Sequence, residues 1–337
     1  MSARRAAPVT VLGAGSWGTA LAVQFARLGG PVRLWGRNPE MLARLARERR
    51  NARYLPEVPF PDALEIVPEL AQVLANARMV LVVVPSTALR ELLGRLLPHL
   101  TPASAVAWAS KGFELDSGKL PHQVAREVLG PERRIAVLSG PTFAREVGMG
   151  LPTAMTVASP DADYARDLAQ AVSSANFRAY TSTDIMGVEI GGAVKNALAV
   201  GAGLSDGLGF GANTRVALIT RGLAEMTRLG VTLGAEADTF MGLAGLGDLV
   251  LTCTDDQSRN RRFGLLLAQG LSPEAALARI GQAVEGYTAA RAIRGVAARQ
   301  GVEMPLCEMM YRVLYERLPA NEAVRELMSR PIKSERA

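Results

Sequence analysis

A glycine-rich turn with the sequence GAGSWG, at residues 13–18, constrains the fold of this chain more than any other feature. It follows the apolar run Val9–Leu12 directly and leads into a segment of helical pattern. In such a turn Gly13 allows a tight bend, Gly15 lets the backbone approach a pyrophosphate, and Gly18 lets the helix pack closely on the sheet. The turn therefore predicts a strand, a turn and a helix that together bind a dinucleotide.

The first half of the chain alternates short β-rich runs with helix-length segments, the pattern of a doubly wound parallel sheet. The predicted strands are Val9–Leu12, Val32–Trp35, Leu64–Val67, Met79–Val84, Ala105–Ala109, Ile135–Leu138, Ala154–Ala158 and Asn176–Tyr180. Several are apolar throughout, as expected of strands that helices cover on both faces. Helices predicted between them include Thr19–Leu28, Pro39–Arg50 and Thr87–Leu97.

After about residue 185 the pattern changes to long segments rich in Ala, Leu and Gly, without strand-like runs. The predicted helices are Gly187–Ala202, Asn213–Leu229, Arg261–Gln269, Pro273–Ile280, Tyr287–Gln300 and Leu306–Leu314. We therefore predict an α/β domain of Rossmann type over residues 1–188 and an all-α domain over residues 189–337. The length of 337 residues suits two domains at roughly 150 residues each.

Composition and charge exclude several classes of protein. Lys and Arg number 38 against 32 Asp and Glu, but most basic residues alternate with acids along helical segments, which predicts no nucleic-acid partner. Two cysteines, Cys253 and Cys307, exclude a disulfide framework and favour a cytoplasmic protein. No apolar run reaches the roughly 20 residues of a membrane span. The two histidines and two cysteines lie far apart, so we predict no metal site.

The choice of nicotinamide cofactor is decided after the second strand. A site for NAD usually has Asp or Glu there to accept from the ribose 2′-hydroxyl, whereas a site for NADP uses Arg on the 2′-phosphate. Here the strand is followed by Gly36-Arg37-Asn38, and the first acid is Glu40. This favours NADPH as the cofactor, with NADH possible.

Two lysines stand out as candidates for chemistry. Lys111 follows a predicted strand beside Gly112, and Lys195 is the one ionisable residue of an apolar, small-residue segment at 191–198. A buried ammonium is costly without a partner or a task, although either lysine could instead lie on the surface. A lysine acts as a base near neutral pH only when desolvation or a nearby cation lowers its pKa from about 10.4. Lys111 and Lys195, brought together across a cleft, would meet that condition.

Two downstream segments offer polar groups. A Gly-rich turn at residues 242–247 leads to Asp248, which could either orient Lys195 or bind a substrate hydroxyl. Residues 258–262, with the sequence SRNRR, place a hydroxyl, an amide and three guanidiniums within five positions, a set that suits a phosphate or a carboxylate.

Eight ordered motifs resemble the bacterial-type NAD(P)-dependent glycerol-3-phosphate dehydrogenases over nearly the whole chain. They are residues 13–18, 51–61 around Tyr54-Leu55-Pro56, 110–112, 139–146, 192–196, 245–248, 258–260 and 284–287. The resemblance implies a Rossmann-type domain followed by a helical domain like that of 6-phosphogluconate dehydrogenase. It also implies interconversion of dihydroxyacetone phosphate and sn-glycerol 3-phosphate for phospholipid synthesis, and it is compatible with a homodimer.

The resemblance also implies roles for individual residues. Lys195 would be the proton donor and acceptor. The substrate would contact Lys111, Gly140, Thr142, Lys195, Asp248, Ser258, Arg259 and Asn260. The cofactor would contact Gly13, Gly15, Ser16, Trp17, Gly18, Arg37, Tyr54, Lys111, Ala144, Arg259, Ala283 and Glu285. Two positions depart from the commoner family pattern: Thr142 replaces Ser and keeps the hydroxyl, and Ala283 replaces Val.

Two rival functions remain open at this stage. One is another dehydrogenase with a helical second domain, which acts on a β-hydroxy acid or a sugar phosphate. The other is a catalytically idle NADP-binding sensor, which would bind NADPH and turn over no substrate. The presence of Lys111, Lys195 and Asp248 together argues against a sensor, because a sensor needs none of them.

We predict that the chain binds NADPH more tightly than NADH, because Arg37 replaces the acid that would accept from the ribose 2′-hydroxyl. Fluorescence titration with each reduced cofactor measures the two dissociation constants. Equal affinities would contradict the prediction.

Overall fold

The computed structural model of the chain describes residues 8–332 and residue 334. Its strands are β1 (Val9–Leu12), β2 (Val32–Trp35), β3 (Arg50–Asn51), β4 (Leu55–Pro59), β5 (Leu64–Ile66), β6 (Met79–Val82), β7 (Ala105–Trp108), β8 (Ile135–Ser139), β9 (Thr153–Ala158) and β10 (Phe177–Ser182). The first seven helices are α1 (Ser16–Arg27), α2 (Pro39–Glu48), α3 (Leu70–Leu74), α4 (Leu89–Leu96), α5 (Pro121–Leu129), α6 (Ala144–Met149) and α7 (Ala162–Val172). The later helices are α8 (Ile185–Gly207), α9 (Gly211–Leu233), α10 (Asp248–Thr254), α11 (Arg259–Ala268), α12 (Pro273–Ile280), α13 (Glu285–Gln300), α14 (Pro305–Tyr315) and α15 (Ala320–Met328).

Eight strands form one sheet in the order β10-β9-β8-β7-β6-β1-β2-β5. Strand β1 lies inside the sheet and pairs with β2 on one side and with β6 on the other. Strands are thus added on both sides of β1, and the predicted doubly wound architecture is confirmed. One neighbouring pair, β8 and β9, is antiparallel rather than parallel. The connection between them contains one short helix, α6, of six residues, and it leaves β9 beginning at the end of the sheet where β8 ends.

The carboxyl ends of β1, β2, β6, β7 and β8 lie along the same edge of the sheet, because these strands are parallel to one another. At this edge β1 passes into the glycine-rich turn. Gly13 has a φ of +123°, and a Cβ at Gly13 would lie 2.1 Å from the carbonyl oxygen of Val83. Only glycine fits there, so the turn brings the N-terminus of α1 to the end of the sheet.

The predicted helix Pro39–Arg50 is shorter in the structure, and a small ribbon that the sequence pattern missed follows it. Helix α2 ends at Glu48, and Arg49 adopts a left-handed conformation with φ of 49°. The Arg49 guanidinium donates to the carbonyl oxygens of Leu64 and Pro61, each at 2.7 Å, which holds the chain in this reversal. Strands β3 and β4 then pair in an antiparallel ribbon.

Helix α8 forms the centre of the second half. The buried apolar residues of the sheet domain include Ile185 and Val188, whereas those around the later helices begin along α8 at Ile190. The predicted division at residue 188 therefore falls in the first turn of α8. This helix is long and apolar enough to cross a membrane, but 94% of its apolar window is buried inside the protein, as in a core helix.

Small residues let α8 approach its neighbours closely. A Cβ at Gly203 would lie 1.9 Å from the carbonyl oxygen of Arg261, and a Cβ at Gly264 would lie 2.1 Å from that of Val200. Helices α8 and α11 therefore pack backbone against backbone. This contact places the first turn of α11, with Arg259 and Asn260, beside the middle of α8.

We expect Gly203→Ala to lower the free energy of unfolding by about 3 kcal/mol, because the added methyl group must push α11 away from α8. Gly295→Ala is the matched control: it lies in α13, and the nearest atom to its Cβ position is a flexible Arg299 nitrogen at 3.5 Å. That variant should gain about 0.5–1 kcal/mol. Urea unfolding measures both, and equal effects would contradict the packing argument.

Candidate active site

One buried carboxylate joins the two lysines that the sequence singled out. Asp248 is 1% exposed, and its Oδ1 accepts from Lys195 Nζ at 2.5 Å while its Oδ2 accepts from Lys111 Nζ at 2.6 Å. Lys195 Nζ also donates to Thr252 Oγ1 at 2.7 Å. The predicted convergence of Lys111 and Lys195 is present in the structure.

Three elements bring these groups together. Lys111 follows β7 at the edge of the sheet, Lys195 lies midway along α8, and Asp248 begins α10 after a π-helical turn at Leu243–Gly247. A Cβ at Gly191 would lie 2.3 Å from the carbonyl oxygen of Ala244, so this glycine lets the π-helical turn lie against α8.

The next glycine along α8 makes room for Lys111. A Cβ at Gly192 would lie 3.3 Å from Lys111 Cγ and 3.2 Å from Ser139 Oγ. Since Gly192 has no side chain, the aliphatic part of Lys111 crosses α8 one turn before Lys195, and its ammonium reaches Asp248.

Burial and charge shift the ionisation of this cluster. Burial lowers the pKa of Lys195 to about 8; Asp248 acts in the opposite direction, and the nearby Lys111 lowers this pKa further. Burial alone would raise the pKa of Asp248, but the two ammonium groups outweigh it and hold this pKa below its usual value. Near pH 7 the carboxylate is ionised between two cations, so the cluster carries an excess positive charge.

An amide network ties the residue after Lys195 to two other helices. Asn196 Nδ2 donates to Glu285 Oε2 at 3.0 Å, and Asn196 Oδ1 accepts from Asn260 Nδ2 at 2.8 Å. Asn260 Oδ1 in turn accepts from the backbone N–H of Gly286 at 2.8 Å. The first turns of α11 and α13 are therefore held against α8, next to Lys195.

Arg259 lies in the first turn of α11, and its guanidinium is available to bind a ligand. Ser258 Oγ caps α11 by accepting from the backbone N–H of Arg261 at 3.2 Å, and the Asn260 side chain is bonded as described above. Within the described part of the chain the Arg259 guanidinium makes no hydrogen bond or ion pair, and it lines a large cavity. It is therefore placed to bind an anion at the N-terminal end of α11, which the helix dipole also favours.

A cavity of about 610 Å³ runs from the glycine-rich turn to α13. The predicted cofactor contacts on its wall are Gly13, Gly15, Ser16, Trp17, Gly18, Arg37, Tyr54, Arg259, Ala283 and Glu285. Two other predicted contacts do not border this cavity: Lys111 lies at Asp248, and Ala144 packs against the core of the sheet domain. A methyl group at Gly15 would meet no atom within 4 Å, so the turn is open toward the cavity.

The shape and charge of the cavity suit a nicotinamide dinucleotide. The glycine-rich turn and the N-terminus of α1 supply backbone N–H groups for a pyrophosphate. The residues directly after β2 on the wall are Gly36, Arg37 and Asn38, so Arg37 and no acid follows the strand there. The cavity wall includes four arginines and two glutamates, so it complements an anionic ligand.

The segment after β8, at residues 140–142, lies beside the π-helical turn that precedes Asp248. Gly140 has a φ of +148°, and its Cβ position is 3.0 Å from Met155 Cα, so a larger residue would be strained there. Thr142 Oγ1 donates to the carbonyl oxygen of Gly140 at 3.3 Å. Pro141 packs near Gly247, the residue before Asp248. Gly140 and Thr142 are thus close to the lysine cluster.

Sequence reasoning missed two residues of the cluster. Thr252 lies one helical turn after Asp248, but its position could be anticipated only if α10 had been predicted. Asn196 follows Lys195 directly, but the sequence does not indicate that its amide pairs with Glu285 and Asn260. Among residues 8–332 and 334, no group of three or more His, Cys, Asp or Glu side chains is arranged to hold a metal ion.

Comparison with known sequences identifies the family. The N-terminal family of NAD-dependent glycerol-3-phosphate dehydrogenase matches residues 8–165, and the corresponding C-terminal family matches residues 184–325. The chain belongs to this family. The resemblance predicted from the motifs is thereby confirmed.

Individual glycerol-3-phosphate dehydrogenases are similar along their whole length. The enzyme named glycerol-3-phosphate dehydrogenase [NAD(P)+] from Tolumonas auensis is 54% identical over 331 residues, which cover 98% of this chain and 99% of that protein. The protein of the same name from Escherichia coli K12 is 54% identical over 335 residues, with 99% of each covered. The crystal structure of the glycerol-3-phosphate dehydrogenase of Coxiella burnetii has a TM-score of 0.93 and 45% identity, covering 96% of this chain and 99% of that one. The predicted Rossmann-type domain with a helical second domain is confirmed.

Proposed function

We propose that this chain is an NAD(P)-dependent dehydrogenase that interconverts dihydroxyacetone phosphate and sn-glycerol 3-phosphate, with Lys195 as the proton donor and acceptor. The observation that carries the proposal is the convergence of Lys195 and Lys111 on the buried Asp248, within a member of the glycerol-3-phosphate dehydrogenase family. NADPH is the favoured cofactor, since Arg37 and no acid follows β2, and NADH is the alternative.

Lys195 supplies the proton in ketone reduction. A bound reduced nicotinamide supplies the hydride to the carbonyl carbon. The Lys195 ammonium donates a hydrogen bond to the carbonyl oxygen and then transfers its proton as negative charge develops there, which leaves a neutral amine. Because its pKa is about 8, Lys195 is mostly protonated at pH 7 and yet gives up its proton more easily than a solvated lysine. In alcohol oxidation the neutral amine accepts the proton.

Asp248 and Lys111 prepare Lys195 for this transfer. Both carboxylate oxygens of Asp248 are already bonded to the lysines, which favours the orienting role for Asp248 over direct binding of a substrate hydroxyl. Lys111 adds a second positive charge that stabilises the developing alkoxide. Asp248 and Thr252 accept two of the three hydrogen bonds that the Lys195 ammonium can donate, which leaves the third for the carbonyl oxygen of the substrate.

The phosphate of the substrate is proposed to bind at the N-terminus of α11. Arg259 supplies a guanidinium, and Ser258 and Asn260 hold the turn through their bonds to Arg261, Gly286 and Asn196. Gly140 and Thr142 complete the proposed substrate contacts. Binding an anionic group away from the reacting carbon fixes the orientation of a small substrate.

The cellular setting is also part of the proposal. The free thiols of Cys253 and Cys307 are both buried and suit a reducing compartment, so we place the enzyme in the cytoplasm, where it supplies glycerol 3-phosphate for phospholipid synthesis. The homodimer and the division of the chain at residue 188 stay predictions. Light scattering measures the oligomeric state, and limited proteolysis measures where the chain divides into domains.

We expect Lys195→Met to lower kcat for dihydroxyacetone phosphate reduction about 10³-fold and to leave the Kd for NADPH within two-fold. The matched control is Lys119→Met, a surface lysine that pairs with Glu127, which should keep normal turnover. The wild-type enzyme is assayed on dihydroxyacetone phosphate, dihydroxyacetone, a β-hydroxy acid and a sugar phosphate. Near-normal turnover of Lys195→Met, or equal rates with unphosphorylated dihydroxyacetone, would refute the proposal.

The pH profile should report the pKa of Lys195, which burial lowers to about 8. Ketone reduction needs the protonated ammonium, so its kcat should fall about ten-fold for each pH unit above 8. Alcohol oxidation needs the neutral amine, so its kcat should rise up to pH 8 and then level off. Initial rates from pH 6 to 10 in both directions provide the measurement, and a reduction rate that climbs through pH 8 would contradict this assignment.

A further inference from the structure

Two arginines on the wall of the dinucleotide cavity have no role so far. The cavity is lined by Arg37, Arg53, Arg95 and Arg259, and none of the four forms a hydrogen bond or ion pair with any residue in the described ranges 8–332 and 334. Arg37 and Arg259 already have proposed roles. Arg53 and Arg95 are therefore unassigned charges that face a site for an anionic ligand.

The two unassigned arginines contact different parts of the cavity wall. Arg53 stacks on Tyr54, in the turn after Asn51, and the Asn51 side chain donates to the carbonyl oxygen of Ala14 at 3.2 Å. Arg53 is therefore close to the glycine-rich turn. Arg95 belongs to α4, and its guanidinium carbon lies 5.7 Å from the centroid of the Trp35 ring.

Trp35 locates Arg95 at the end of β2. This tryptophan is the last residue of β2 and is 6% exposed, and its Nε1 donates to the carbonyl oxygen of Pro68 at 3.0 Å. Its ring is thus held in place, and Gly36 and Arg37 follow it in the chain. Arg95, which lies over the Trp35 ring, and Arg37, two residues after Trp35, both line the cavity near the end of β2, where a Rossmann-type site receives the 2′ position of the adenosine ribose.

A 2′-phosphate offers more oxygen atoms than one arginine can bind. A planar guanidinium binds two phosphate oxygens side by side, so a second guanidinium can engage the remaining oxygen. The ring contact with Trp35 restricts the Arg95 side chain before any ligand arrives. Glu91, one turn earlier on α4, also borders the cavity and would repel a phosphate that lacked a neighbouring cation.

We propose that Arg95 binds the 2′-phosphate of NADPH together with Arg37, and that this pair of guanidiniums selects NADPH over NADH. The inference rests on the proposed function, because it concerns the cofactor of that same site. It differs from the family motif at Arg37 because the second cation comes from α4, a helix distant in sequence. The chemical class that the pair recognises is an adenosine 2′-phosphate.

The test is calorimetric binding of NADPH, NADH and adenosine 2′,5′-bisphosphate to the full-length protein. Arg95→Gln should weaken binding of NADPH and of the bisphosphate about ten-fold and change the Kd for NADH less than two-fold. Arg37→Gln should have the same pattern. The matched control is Arg44→Gln on the exposed surface of α2, outside the cavity, which removes the same charge and should change no Kd by more than two-fold.

Two results would overturn the inference. One is unchanged dissociation constants for both NADPH and NADH in Arg95→Gln, and the other is equal weakening of both cofactors, which would mean that Arg95 contacts the adenine instead. The proposed function is tested separately by NADH-dependent reduction of dihydroxyacetone phosphate. Arg95→Gln should retain the wild-type kcat at saturating NADH. Lack of turnover in the wild-type protein would refute the function and leave the binding ratios to decide the role of Arg95.

Discussion

A single carboxylate shared by two ammonium groups is the interaction on which the rest of this active site depends. Asp248 and Lys195 are both removed from water, and each charge would be strongly unfavourable there without the other. Lys111 adds the second cation, so the cluster stays positively charged when Asp248 is ionised. That excess charge is what a ketone oxygen requires as it becomes an alkoxide, and it exists before substrate binds.

The cluster can form because α8 presents backbone rather than side chains to its neighbours. Gly191 accepts the π-helical turn that carries Asp248, and Gly192 accepts the aliphatic part of Lys111. Farther along α8, Gly203 packs on α11, and a Cβ at Gly286 of α13 would lie 2.4 Å from the carbonyl oxygen of Asn196 in α8. These close contacts fix the distances between elements, so Lys195 and Asp248 are held on rigid helices, and Lys111 reaches them from the segment after β7.

Much of the fold could be predicted because its signals are local. Strands β1 and β2 have the predicted bounds, since short apolar runs next to turn residues leave few alternatives. The ribbon of β3 and β4 was missed because it depends on the left-handed Arg49, whose side chain bonds to residues 12 and 15 positions away. Strand β9 was predicted but its antiparallel direction was missed, since the strand pattern is the same in either direction.

The sequence predicted which residues of the candidate site carry chemistry. It predicted less well which side chains those residues contact. Lys195 was recognised as unusual because a lone charge in an apolar helical segment needs a partner. The sequence left open whether Asp248 orients Lys195 or binds substrate, and its two hydrogen bonds to lysines favour the first. Helix α10 was not predicted, because its seven residues follow a glycine-rich turn that reads as a loop. The hydrogen bond from Lys195 to Thr252 was missed for the same reason.

The amino-acid sequence by itself determined the dinucleotide turn, the alternation of strands and helices, and the family. Each of these is encoded by backbone preferences and motifs within a few neighbouring residues. The tertiary structure alone decided that Lys111 and Lys195 meet on Asp248, across separations of 137 and 53 residues, and that Arg95 lies beside Trp35. Desolvation and ion pairing depend on which atoms surround a charge, and those atoms come from distant parts of the chain. The pKa of Lys195 near 8 is therefore a property of the folded protein.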